Sequence, residues 1–267
     1  MAAVRIALID SGYGLLSTAA ALRTARPDAD LVCAMDPDHM PWGPRSAAEI
    51  RARALAGATA AAATRPDAIV VACNTASVHA LEVLRAEFEP GIPVIGTVPA
   101  VKPAADHGGP IAIWATPATT GSPYQRDLIL RFAAGVDVTP VACYGLADAV
   151  EAADPAVIGA AVARAAELTP AGVRSVVIGC THYDLVAERI SAALGEPALF
   201  SAAEAVTAQT LRRLGASPDP AAAATGTLTV LASGRPAALP PAALGYPAGR
   251  LLADSGAAAR PGARPAE

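Results

Sequence analysis

Short apolar runs alternate along the chain with alanine-rich stretches that have helical spacing. Each apolar run is continuous, as expected of parallel strands that are buried on both faces. This order predicts an α/β protein in which mostly parallel sheets are covered by helices. The predicted strands are 5–10, 28–35, 67–73, 92–97, 110–116, 136–143, 174–180, 197–201 and 227–233. The predicted helices are roughly 14–26, 45–64, 77–88, 123–133, 155–168, 184–194 and 202–214.

Two pairs of segments repeat at nearly the same spacing. IALIDSGYG, which starts at Ile6, is similar to IAIWATPATTGS, which starts 105 residues later at Ile111. IVVACNTAS and VVIGCTHYD are also similar, and their cysteines, Cys73 and Cys180, are 107 residues apart. We therefore expect two similar lobes that face each other across a central cleft, related by a pseudo-twofold axis.

The break between the lobes is expected in the Pro- and Gly-rich segment 97–109. The first lobe is predicted to comprise 1–97 and a returning segment at about 205–245, and the second lobe 98–204. The segment 246–267 is rich in Ala, Pro, Gly and Arg, which predicts a flexible tail.

Composition narrows the class of protein. The chain has 267 residues, a net charge of −4, 53% hydrophobic residues and only 16% charged residues. About a quarter of the residues are Ala, so the core must be built from small and branched aliphatic side chains. The chain is mildly acidic, and its sequence shows no basic patch of the kind that binds nucleic acid.

The scarcity of lysine excludes two common kinds of enzyme. Lys102 is the only lysine among the 20 basic residues, and it lies between prolines in PAVKPAAD. A pyridoxal enzyme needs a Schiff-base lysine, and a P-loop needs the triplet Gly-Lys-Ser/Thr, which is absent. We therefore expect no cofactor of either kind.

The chain also lacks the signals of a membrane or secreted protein. No apolar run reaches the roughly 18 residues of a membrane helix. The first apolar run meets Asp10 too early to be a signal peptide, and the 4 cysteines include no CxxC motif. The sequence therefore predicts a cytoplasmic protein without disulfides.

Three predicted strands end in polar or reactive side chains. Ligands of open α/β sheets bind at the carboxyl ends of the strands, so these groups are candidates for one site. A cysteine before a helix lies beside unpaired backbone N–H groups, and we expect this position to favour its thiolate form. The three groups are Asp10-Ser11, Cys73-Asn74-Thr75 and Cys180-Thr181-His182.

Each cysteine also has a structural interpretation. A single cysteine at a strand end is usually buried packing, and we interpret Cys33 and Cys143 in that way. The matched contexts of Cys73 and Cys180 favour chemistry instead. A metal bound by these two thiols and His182 is disfavoured, because the chain lacks the usual ligand spacings, and no metal is predicted.

Two thiols on opposite sides of one substrate carbon could remove a proton from one face and deliver one to the other. One must act as thiolate and the other as thiol. Such a pair would invert a stereocentre without a cofactor, which agrees with the absence of a pyridoxal lysine.

Four motifs resemble those of the cofactor-independent glutamate racemases, within the aspartate/glutamate racemase superfamily. The resemblance covers roughly residues 4–235. It implies racemisation of L- and D-glutamate, supply of D-glutamate for peptidoglycan, and often a homodimer. The motifs are DSGYGLLS at 10–17, PWG at 41–43, ACNTAS at 72–77 and GCTHY at 179–183.

The resemblance also implies roles for individual residues. Cys73 and Cys180 match the two acid/base thiols, with Asp10 near the first and His182 near the second. Glu151 matches an acidic residue that supports the second thiol. The amino-acid substrate would bind at Asp10, Ser11, Pro41, Trp42, Gly43, Asn74, Thr75, Thr119, Thr181 and His182.

Four positions depart from the family pattern and leave the substrate open. Leu15 replaces a glycine, Trp42 a tyrosine and Val98 a glutamate, and Asp184 stands where proline is usual. Asp184 is expected to raise the pKa of the second thiol. The alternatives are a racemase of aspartate or another amino acid, and a non-catalytic amino-acid-binding or regulatory protein.

Overall fold

The computed structural model describes residues 4–258 and divides their strands between two sheets. The six-stranded sheet has the order β10-β9-β2-β1-β3-β4, and the four-stranded sheet the order β6-β5-β7-β8. All pairs are parallel except β9 with β10. The strands are β1 Arg5–Ile9, β2 Asp30–Met35, β3 Ala68–Val71, β4 Val94–Gly96, β5 Ile111–Ala115, β6 Val138–Ala142, β7 Ser175–Ile178, β8 Ala198–Phe200, β9 Leu228–Ala232 and β10 Arg235–Ala237.

Helices cover both sheets, and a short 3₁₀ helix, Thr181–Val186, follows β7. A second 3₁₀ helix is Pro241–Gly245. The α-helices are α1 Leu15–Ala25, α2 Ala47–Ala62, α3 Asn74–His79, α4 Leu81–Phe88, α5 Val101–His107, α6 Pro123–Phe132, α7 Leu146–Ala152, α8 Pro155–Glu167, α9 Ala187–Ala193, α10 Ala203–Arg213 and α11 Pro247–Ala258.

The continuous apolar runs have the predicted cause. In β1, β3, β5 and β7 nearly every residue is buried, because helices pack on both faces of each sheet. The predicted two-lobed α/β class is confirmed. The residue limits of the lobes stay a prediction, although the two sheets draw their strands from 5–96 with 228–237 and from 111–200.

Some elements were not predicted. Helix α5 lies in the Pro- and Gly-rich segment that predicts a break between the lobes. Its Pro103 lies in the first turn, where the missing N–H costs no helical hydrogen bond. Helix α7 has only 7 residues, too few for a clear period.

The prediction of a flexible tail is wrong for 247–258, which form α11. The composition of this segment does not indicate that one of its side chains is buried. Leu252 is fully buried, however, in the same core as Leu15, Leu16 and Leu22 of α1. The rest of the predicted tail, 259–267, lies outside the described residues. Within 4–258, no helix combines the length and apolar character needed to cross a bilayer.

Truncation of Leu252 tests whether α11 belongs to the folded core. Leu252→Ala should lower the free energy of unfolding by about 2–5 kcal/mol, because it leaves a cavity in a packed core. Leu130→Ala, at a side chain that is 73% exposed in α6, should change it by no more than about 0.5 kcal/mol. Urea denaturation followed by circular dichroism gives both values, and equal values would contradict the packed helix.

Candidate active site

The carboxyl ends of β1, β3, β5 and β7 converge on a cleft of about 380 Å³ between the lobes. The cleft brings together every site residue predicted from the sequence except Asp10, which is buried and lines a second, smaller cavity. The predicted residues that line it are Ser11, Pro41, Trp42, Gly43, Cys73, Asn74, Thr75, Thr119, Glu151, Cys180, Thr181 and His182.

Both candidate thiols occupy equivalent places. Cys73 has extended backbone after β3 and caps α3, while Cys180 has the same conformation after β7 and caps the 3₁₀ helix. Both side chains are buried but reach the cleft. The sequence repeat therefore becomes a matched pair of cysteines, one from each sheet.

The expectation that the strand-end position favours thiolate is wrong for Cys73. Burial raises the pKa of this thiol well above its ordinary value, and the neighbouring Asp10 and Cys180 add to the rise. The backbone N–H of Ala76 acts in the opposite direction but does not compensate. Cys73 is thus a thiol at neutral pH.

Cys180 heads a chain of polar contacts. Its Sγ lies 3.9 Å from Nδ1 of His182, and Nε2 of His182 lies 2.7 Å from Oε1 of Glu151. The backbone N–H of Tyr13 donates to the same oxygen of Glu151. Burial lowers the pKa of His182, but its contacts with Cys180 and Glu151 outweigh burial and raise that pKa well above its usual range. A protonated His182 donates to both partners.

Asp10 joins the first thiol to the second lobe. Its Oδ2 accepts a hydrogen bond of 3.1 Å from Oγ1 of Thr181, and its Oδ1 accepts one from Ser11. Burial raises the pKa of Asp10, and the positive charge of His182 and these hydrogen bonds only partly oppose the rise. The carboxyl group also interacts with the thiol of Cys73.

Asn74 makes a second link between the lobes. Its Nδ2 donates to the backbone carbonyl of Gly179 at 2.8 Å. Its Oδ1 is buried and has no hydrogen-bond partner among the described residues, so an unused acceptor lies next to Cys73. Thr75, the next residue of α3, is half-buried and lines the cleft.

The backbone at Gly14 must pass close to this network. A Cβ atom at this position would overlap the side chains of Asp10 and Thr181 and come within 2.8 Å of Nδ1 of His182. Only glycine lets the start of α1 approach the polar groups so closely.

Of the four departures from the family pattern, Trp42 alone contacts the cleft. Leu15 is buried at the start of α1, and Val98 is half exposed, away from the cleft lining. The side chain of Asp184 interacts with Ser201 and lines a separate groove. Burial raises the pKa of Asp184 to about 7, and Asp184 is not among the residues that line the cleft.

Three further residues line the cleft. No motif marks Thr116 and Asp148, whereas Cys143, interpreted from the sequence as buried packing, is buried and also lines the cleft. Asp148 lies three residues before Glu151 on α7, a spacing that places both on one helix face.

No Lys or Arg lines the cleft in the described part of the chain, so the imidazolium of His182 is its basic group, beside acids and neutral donors. Residues 4–258 also contain no cluster of three or more His, Cys, Asp or Glu side chains suited to a metal ion.

Comparison with known proteins places the chain in a family. The model of the Asp/Glu/Hydantoin racemase family matches residues 15–209. The chain belongs to this racemase family. Membership makes it an isomerase, and the two cysteines lie where the repeat of the racemase fold brings its halves together.

Curated members of the racemase family are similar over most of their length. A glutamate racemase of Herpetosiphon aurantiacus is 38% identical over 87% of this chain and 93% of its own. A glutamate racemase of Roseiflexus sp. is 37% identical over 78% of each chain. Among solved structures, the Escherichia coli glutamate racemase, crystallised with L-glutamate and the activator UDP-MurNAc-Ala, is 30% identical with a TM-score of 0.78. That match covers 94% of this chain and 93% of the E. coli chain.

The contact between Glu151 and His182 predicts a coupled titration in this racemase. Glu151→Gln should lower the pKa of His182, because the variant removes the negative partner of the imidazolium. Because the pKa of His182 is raised by folding, its protonation adds stability. That stability is complete below the unfolded pKa of about 6.5 and is lost as pH rises through the folded pKa. The variant should therefore also reduce the dependence of stability on pH. NMR titration of the His182 ring, assigned with His182→Gln, measures the shift. An unchanged pKa would contradict the coupling.

Proposed function

We propose that this racemase interconverts L- and D-glutamate by a two-thiol mechanism without a cofactor. The observation that carries the proposal is the pair of matched thiols, Cys73 and Cys180, which reach one cleft from opposite lobes. The curated relatives are named glutamate racemases, and the E. coli relative was crystallised with L-glutamate.

The proposed reaction balances without any redox change. One cysteine, as thiolate, takes the proton from Cα, so that an S–H bond forms and the C–H electron pair remains on the substrate. The other cysteine, as thiol, gives its proton to the opposite face of Cα and becomes thiolate. The reverse direction exchanges the two roles.

The neighbours of the two thiols differ in charge. The imidazolium of His182 lies beside Cys180, whereas burial and Asp10 favour a protonated Cys73. Asp10 is also placed to accept the proton of Cys73 when that residue must act as the base. Glu151 acts through His182, whose charge it stabilises.

The amino-acid groups of the substrate have matching partners. The unused Oδ1 of Asn74 suits the α-ammonium group. The first N–H groups of α3 and the hydroxyls of Ser11, Thr75 and Thr181 suit the α-carboxylate, because N–H groups in a first helical turn have no helical partner. Thr119 and the loop of Pro41, Trp42 and Gly43 face the remaining space and would receive the side-chain carboxylate.

Removal of either thiol should abolish racemisation. Cys73→Ala and Cys180→Ala should each lower kcat by about 10²–10⁴-fold or more, since each removes one proton-transfer group. Cys33→Ala is the matched control, because Cys33 is equally buried in β2 but does not line the cleft, and it should retain activity. Polarimetry with L- and with D-glutamate provides the rates.

Proton NMR in D₂O separates the possible failures. The wild type should lose the Cα–H signal while optical rotation decays. Exchange without inversion would mean that only one thiol works. A single-cysteine variant that racemises at the full rate would exclude the two-thiol mechanism, and a silent wild type with aspartate and other amino acids also inert would favour a binding protein.

We also propose a cytoplasmic enzyme that supplies D-glutamate for peptidoglycan and assembles as a homodimer. The support is the resemblance to glutamate racemases together with the names of the curated relatives. Expression should rescue growth of a bacterium that requires D-glutamate, whereas expression of Cys73→Ala should not. Light scattering after size-exclusion chromatography should give twice the chain mass of 26.6 kDa, and 26.6 kDa would contradict the dimer.

A further inference from the structure

Trp42 separates the cleft from a second, smaller cavity. Its side chain is 1% exposed and packs in the core of the first lobe, yet it contributes to the lining of the cleft. Behind it lies a cavity of about 90 Å³. Trp42, whose indole ring is buried, is the only described residue that lines both spaces, and it therefore forms the wall between them.

A hydrogen bond fixes the orientation of this ring. Nε1 of Trp42 donates to Oδ2 of Asp36 at 3.1 Å. The other carboxylate oxygen, Oδ1, accepts from Oγ of Ser233 at 2.7 Å and lies 2.8 Å from Nδ1 of His39. Rotation of the indole out of the wall would leave its buried N–H without an acceptor, which is costly.

Asp36 is itself well placed to act as an anchor. It follows directly after β2, and its backbone N–H donates to the carbonyl of Ser11 at 3.2 Å. Its contacts with His39, Ser233 and Trp42 outweigh its burial and hold its pKa below the usual range. The acceptor for the indole is therefore a carboxylate at neutral pH. Asp36 is held in place by hydrogen bonds with Ser11, which follows β1, and with Ser233, which follows β9.

We propose that Asp36 positions Trp42, and that Trp42 limits the side-chain length of the acidic amino acid that the racemase accepts. This inference rests on the proposed glutamate racemisation. With the wall in place, the side-chain carboxylate must end in the cleft, near the loop of Pro41 and Gly43. A substrate with one more methylene would meet the indole ring.

The space behind the wall has the chemistry to receive a longer acid. One water takes up about 30 Å³ in the liquid, so the second cavity can hold a group of several atoms once it is opened. Arg53 lines this cavity together with the carboxyl groups of Asp10 and Asp36, whereas the described cleft lining contains no Arg or Lys. A carboxylate that reached through the wall would find a guanidinium partner.

The test compares glutamate with 2-aminoadipate, which is one methylene longer. Trp42→Leu opens the wall, and Trp42→Phe keeps an aromatic ring but removes the N–H donor. Both should raise the ratio of kcat/KM for 2-aminoadipate to that for glutamate by roughly tenfold or more, because one methylene in a pocket discriminates by about 10–200-fold. Adding Arg53→Gln to Trp42→Leu should cancel most of the gain, chiefly through KM for 2-aminoadipate.

The positioning role of Asp36 needs a separate comparison. Asp36→Asn should shift the same ratio in the wild-type background and have no further effect in Trp42→Phe, since that variant lacks the indole N–H. Ser233→Ala is the matched control, because it removes another partner of the carboxylate but spares the contact with Trp42. In a Trp114→Phe background, where Trp42 is the remaining tryptophan, Asp36→Asn should also change the fluorescence spectrum and Ser233→Ala should not.

The outcomes separate this inference from the proposed function. A wild type that leaves glutamate unchanged overturns the proposed function and this inference with it. If the wild type racemises glutamate but the folded Trp42 variants lose kcat/KM for both substrates in equal proportion, only the proposed role of Trp42 as a wall is overturned. An equal effect of Asp36→Asn with and without the indole N–H overturns the positioning role. Circular dichroism confirms folding, and Trp42→Phe remains informative if Trp42→Leu does not fold.

Discussion

The arrangement of the site depends on buried polar contacts between the two lobes at the ends of their central strands. Thr181 donates to Asp10, and Asn74 donates to the carbonyl of Gly179, so each lobe holds the other by groups that also surround the thiols. Because these groups are buried, a lobe that moved away would leave them without partners. The contacts that dock the two lobes therefore also fix the positions of the two cysteines.

The two thiols have neighbours of opposite charge. At Cys73, burial acts together with the charge of Asp10, and the proton is held on sulfur. Beside Cys180, the contacts of His182 with the sulfur and with Glu151 outweigh the burial of the ring, and the imidazole keeps a positive charge. A nearly symmetric fold thus surrounds its two cysteines with different charges.

The sequence predicts the features that depend on residues close together in the chain. The continuous apolar runs predicted the buried strands, and the repeat of a strand end with cysteine predicted the two lobes. The partnership of Glu151 with Tyr13 and His182 joins residues far apart in sequence, and no spacing reveals it. Asp36 could have been predicted as a site residue, because it is an acid that follows a strand, as Asp10 does. The buried anchor Leu252 was hidden by the composition around it.

The charges of the cleft bear on how a substrate arrives. His182 is the cationic residue of the described cleft lining, its neighbours there include acids, and the protein as a whole is negative, so an incoming dicarboxylate is not drawn in from a distance. Recognition begins only when the imidazolium and the neutral donors are within hydrogen-bonding range. Added salt should therefore screen a repulsion and not weaken capture, and discrimination among acids should come from shape rather than from net charge.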